Sequence, residues 1–109
     1  MNIEELNRKL TQKLQIELDE YKKEFLKLSK EEMLDHIEEY FNRYMITKTI
    51  PMIDDVLFKP KYYEAMLAID NPLETIGQVF DKSQKDWSGI VEDVIMELAA
   101  PDEYNMFGD

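Results

Sequence analysis

The chain has 109 residues, no cysteine, and 24 acidic against 13 basic side chains, for a net charge of −11. Its length is that of one domain, and the missing cysteine excludes a disulfide framework, a thiolate metal site and a Cys nucleophile. The negative field repels phosphate backbones and anionic lipid, which disfavours direct nucleic-acid or membrane binding and favours a basic partner protein.

The charge is uneven. Residues 1–30 hold seven bases against six acids, so the remaining 79 carry eighteen acids and six bases. At the N-terminus, Glu4 and Glu5 stand where a signal peptide needs cations before an apolar stretch, and no apolar run reaches membrane-spanning length. The sequence therefore predicts a cytoplasmic protein.

Ile3, Leu6, Leu10, Leu14, Leu18, Tyr21, Phe25 and Leu28 recur at spacings of three and four, predicting a helix over about 3–28. At about 1.5 Å per residue it exceeds what a small globule requires, so it either extends past the body or pairs with a second copy. Ser29 and Glu32 form a capping box that starts a second helix. The inward stripe of that helix reads as Met33, Leu34, Ile37, Tyr40, Phe41, Tyr44 and Met45. Glu31, Glu32, Asp35, Glu38 and Glu39 lie early, where the helix dipole favours acids. Pro51 ends this helix near Thr49.

Residues 51–58 read as a short helix, and Pro60 opens another through Tyr62, Tyr63 and Met66. Asn71, Pro72 and Glu74 give a side-chain cap, a proline at the first position and an acid at the third. A long helix is expected from there to about residue 100, with Leu73, Ile76, Phe80, Trp87, Val91, Val94 and Leu98 inward. Ser83 and Gln84 keep the phase. Gly77 and Gly89 lie off that stripe, where each either weakens the helix or admits a close neighbour. Pro101 stops it, leaving an acidic, aromatic tail at 101–109 with Tyr104, Met106 and Phe107. That tail reads either as a frayed end or as a segment that folds against a partner. The expected fold is all-α: one domain over 1–100, a helical bundle with two long helices (about 3–28 and 72–100) framing a medium helix and shorter ones.

Three stretches resemble the family known as domain of unknown function family 3848, found in short proteins of Gram-positive bacteria and their mobile elements. They are the opening helix with Leu6, Asn7, Leu10, Glu20, Tyr21, Phe25 and Leu26; the block from Glu31 to Tyr40; and Asn71, Pro72 and Leu73 followed by Phe80. Pro51 and the run from Phe58 to Tyr63 depart from the pattern. The resemblance implies an all-helical fold and a phage or mobile-element setting, and it brings no activity or site residues. Small acidic proteins in such a setting are often inhibitors of host defence nucleases, an analogy of setting that rests on no residue.

Little in the chain points to catalysis. The one histidine, His36, follows Glu32 by four residues, but a di-metal carboxylate bundle wants a Glu three before a His, twice, and Met33 occupies that place. No nucleophile with a base, Gly-rich phosphate cradle or Walker-type lysine occurs. The chain reads as no enzyme, without metal or cofactor.

Tyr62 and Tyr63 are expected at an interface, since adjacent aromatics on one helix cannot both point inward, and Tyr44 beside Met45 likewise. The resulting expectation is a binding module whose partner residues are Glu31, Glu32, Asp35, Glu38, Glu39, Tyr44, Asp54, Asp55, Tyr62 and Tyr63. It would act as an acidic inhibitor of a nucleic-acid-binding defence enzyme, of anti-CRISPR or anti-restriction type, by nucleic-acid mimicry. The alternative is a structural or adaptor protein that forms a homodimer through the long first helix.

Overall fold

Asn2 sets the start of the first helix: its side chain accepts the Glu5 N–H at 2.8 Å, one of the donors that the first turn leaves without a carbonyl. A computed structural model of the chain describes residues 2–53, 58–82 and 90–99. Within these, α1 spans Ile3–Phe25, α2 Lys30–Asp35, α3 Ile37–Thr49, α4 Pro60–Leu67, α5 Pro72–Lys82 and α6 Ile90–Ala99, with a 3-10 turn at Ile50–Met52. There is no strand among the described residues, and the all-α bundle expected from the periodicity is what forms.

Leu6, Leu10, Leu14 and Leu18 of α1 are all buried, one turn apart on a single stripe. They meet α3, α4, α5 and the 3-10 turn. This stripe is buried within the chain. The helix ends at Phe25, three residues before the expected Leu28, with Leu26 as its C-cap. The Ser29–Glu32 capping box forms as read, both bonds at 3.2 Å.

The polar face of α1 also organises the bundle. The Lys13 ammonium donates to the Leu67 and Ile69 carbonyls at 2.7 and 2.6 Å, where α4 ends. One turn on, the Glu17 carboxylate accepts the Leu73 and Glu74 N–H groups at 2.9 and 2.7 Å, where α5 begins. A cation on a helix C-terminus and an anion on an N-terminus both match the macrodipole. The cap expected from Asn71 is thus supplied to these donors by a distant residue. Burial pushes the Glu17 carboxyl above its ordinary value, although the two N–H bonds oppose this.

Three expectations are corrected. The second helix is broken at His36, whose backbone (φ −113°, ψ 12°) leaves the helical region, giving α2 and α3. Of the helix expected over 72–100, α5 and α6 are described and pack against each other, so they do not share one straight axis; residues 83–89, with Ser83, Gln84, Trp87 and Gly89, lie outside the described residues. Two segments eight or more residues apart on one straight helix would be about 12 Å apart along its axis and could not pack in this way.

Tyr62 and Tyr63, finally, are both buried. Adjacent residues point about 100° apart, and α4 is wedged between α1 and α6, so both directions meet protein. Phe58 packs on both rings, at 5.3 and 4.9 Å between centroids, and the Tyr63 hydroxyl accepts from Asn7 Nδ2 at 3.0 Å.

Leu14 sits at the centre of the α1 stripe with no exposure. Leu14→Ala is expected to cost about 2–5 kcal/mol, read as a lowered urea midpoint with little change in slope.

Candidate protein-binding face

Arg43 decides which side of α3 faces solvent. Its side chain is 2% exposed, and a buried guanidinium is tolerated only if its donors are met. All five are. Nε and Nη2 donate to the two Glu74 oxygens at 3.0 and 2.9 Å, Nη1 and Nη2 to the two Asp81 oxygens at 3.2 and 2.9 Å, and Nη1 also to the Glu39 carbonyl at 2.9 Å. The Tyr21 ring covers the group at 5.0 Å. Burial works against the charge, but the Glu74 and Asp81 bonds outweigh it and hold the pKa above the ordinary value.

Gly77 makes room for this arrangement. A Cβ there would lie 3.0 Å from Arg43 Cζ and 3.2 Å from Cγ and Nε. Of the two roles open to Gly77 in the sequence, admitting a close neighbour is the one realised.

With Arg43 inward, Ile46, Thr47 and Ile50 follow it into the core. The stripe expected to point inward is turned about 140° away. Leu34 is 73% exposed, Phe41 50%, and Ile37 and Tyr44 are exposed as well, while Tyr40 is half-buried against Tyr21 and Phe25. Burying a Leu, Ile or Phe side chain contributes about 1.5–3 kcal/mol, so a row of them left in water favours association.

Of the acids expected at the interface, Glu31, Glu32, Asp35 and Glu38 are exposed along α2 and the start of α3, and Glu39 is half-buried. Glu31, Asp35 and Glu38 form no ion pair among the described residues. Glu32 is held below its ordinary value by its bonds with Ser29. Glu39 Oε2 lies 3.4 Å from His36 Nδ1. Tyr44 lies on the same face, with the Lys48 ammonium 5.3 Å from its ring centre.

Tyr62 and Tyr63 are buried away from this face, and Asp54 and Asp55 lie outside the described residues. Leu34, Ile37 and Phe41 are the surface residues that the sequence reading placed in the core. The signal for them was the competing line of Ile46 and Ile50 at a spacing of four, masked because its other members are Arg43 and Thr47.

A cleft of about 270 Å³ lies beside Arg43, lined by Glu17, Glu20, Tyr21, Glu24, Arg43, Asn71, Leu73 and Glu74. Its two central charges are already committed, Arg43 to Glu74 and Asp81 and Glu17 to the start of α5. No cluster of three metal-ligating side chains occurs among the described residues, and none of their helices is long and apolar enough to cross a membrane. The chain matches no family model, and neither a curated protein nor a solved structure is found similar to it.

Two outcomes follow from the Arg43 arrangement. Gly77→Ala should destabilise the protein despite the better helix propensity of alanine. In an Arg43→Ala background the same change should stabilise by about 0.5–1 kcal/mol, a reversal that a double-mutant cycle in urea detects.

The Arg43 bond also holds the Glu74 carboxyl below its ordinary value of 4.5. Stability from that pair is therefore present above about 4.5 and lost as pH falls through the lower folded value, whereas Glu17, shifted upward, acts in the opposite sense. Glu74→Gln should be least stable relative to wild type near neutrality, and the gap in urea midpoints should close on acidification.

Proposed function

We propose that the chain is a non-enzymatic protein-binding module that works as an acidic inhibitor, docking its α2–α3 face on the basic nucleic-acid channel of a partner enzyme. The observation that carries this reading is the row of exposed carboxylates at Glu31, Asp35 and Glu38, none ion-paired among the described residues, on a chain of net charge −11. Such charges cost little in water and gain most against a basic surface, where they take the place of phosphates. The anti-restriction or anti-CRISPR setting belongs to this proposal, as does a cytoplasmic site of action.

The self-associating adaptor is the weaker reading because the leucine stripe of α1 is already buried, with α1 packed on α3, α4 and α5.

The experiment is capture from host lysate with the purified chain as bait, followed by displacement of nucleic acid from the captured enzyme. Capture should be lost at high salt and with the combined Glu31→Gln, Glu32→Gln, Asp35→Asn and Glu38→Gln variant, whose folded content circular dichroism checks. A salt-resistant partner that keeps its nucleic acid in the presence of the chain would sink the inhibitor.

A further inference from the structure

Between Lys30 and Thr49 there is no proline and no glycine, the residues that break helices, yet the helix is broken at His36. The two ends that meet there are each other's missing partners. α3 starts without a side-chain cap. Its Ile37, Glu38 and Glu39 N–H groups do not make the bonds that a continuous helix would give them, to the Met33, Leu34 and Asp35 carbonyls. The junction is bridged instead by the His36 N–H, 3.1 and 3.2 Å from the Glu32 and Met33 carbonyls, and by the Tyr40 N–H, 3.2 Å from the His36 carbonyl.

Little fixes α2 in its present direction. None of its residues is buried, and Met33 alone is half-buried. The Ser29–Glu32 capping box is local to its first turn and travels with it.

Charge supplies the reason for the break. Glu38 and Glu39 occupy the first turn of α3, where the helix dipole favours acids. Joining the two helices would place them mid-helix, three and four residues from Asp35, where like charges repel. Three backbone bonds favour the joined form and three carboxylates oppose it. A ligand that neutralises the carboxylates therefore binds the joined form better and shifts the balance towards it.

We infer that His36 is a charge-held hinge, at which α2 and α3 join into one helix over 30–49 when a basic partner neutralises Asp35, Glu38 and Glu39. The inference rests on the basic-partner reading above and adds to it a change of shape on binding. A straight helix about 30 Å long replaces the bent pair, and the carboxylates of α2 come into register with those of α3.

The test uses the full chain. Because it has no cysteine, a pair of nitroxide labels can be placed on Lys30→Cys and Lys48→Cys alone, both at exposed positions. A continuous helix separates their backbones by about 27 Å, and a bend shortens this. Asp35→Asn with Glu38→Gln and Glu39→Gln should lengthen the label distance towards that value and raise the amide protection of Ile37, Glu38 and Glu39 at least about tenfold. Wild type should respond in the same way to titration with an oligolysine peptide. His36→Gly, which weakens a helix interior, should hold wild type and neutral variant alike in the bent form. Urea midpoints check that each variant is folded, and if the triple variant is not, the oligolysine titration of wild type decides.

An unchanged label distance and unchanged protection in the folded neutral variant would overturn the hinge and leave the inhibitor to the displacement experiment. Straightening in that variant without any response of wild type to oligolysine would overturn the coupling to a basic partner, and with it the inference. Both readouts are made without host enzyme, so the hinge and the inhibitor fail separately.

Discussion

The Arg43 guanidinium is the constraint on which the surface of this protein depends. A buried charge has to be neutralised and fully hydrogen-bonded, and Arg43 meets both conditions with Glu74 and Asp81 from α5 and the Glu39 carbonyl from its own helix. That demand rotates α3 so that Arg43, Ile46, Thr47 and Ile50 line the core. The more apolar side of the helix is left in water. A polar interaction inside the bundle thus produces the exposed hydrophobic row outside it.

The helix that satisfies Arg43, α5, is also held in place from α1. Lys13 closes the end of α4 and Glu17 opens α5, two residues one turn apart that fix both sides of the α4–α5 junction. Asn7, further up the same helix, donates to the Ile50 carbonyl and to the Tyr63 hydroxyl, joining the 3-10 turn and α4. These contacts are specific in direction, where the leucine stripe beneath them is not. The leucines supply the driving force, and the polar pins set the register in which Gly77 comes opposite Arg43.

The α2–α3 face joins two properties with different physics. Carboxylates act over about 8–10 Å and fade with salt, whereas an apolar row acts only in contact and resists salt. In the function proposed above, the acids attract a basic partner from a distance and the apolar side chains act once it is in contact. Tyr62 and Tyr63 have no part in it, because α1 and α6 enclose α4 from two sides.

Local chemistry determined much of this protein. The first-helix stripe, the Ser29 capping box, the stop at Pro51 and the starts at Pro60 and Pro72 depend on neighbours three or four residues away, and periodicity exposes such neighbours. The exposed acids at Glu31, Glu32, Asp35 and Glu38 were legible for the same reason, since charge stays in water by default. What only the tertiary structure decided is which face of α3 points inward, how Glu17 caps a helix 56 residues away, and that two adjacent tyrosines can both be buried. Each is a long-range pairing: an arginine reads as surface until two carboxylates from another helix are brought to it, and binary pattern carries no record of that meeting.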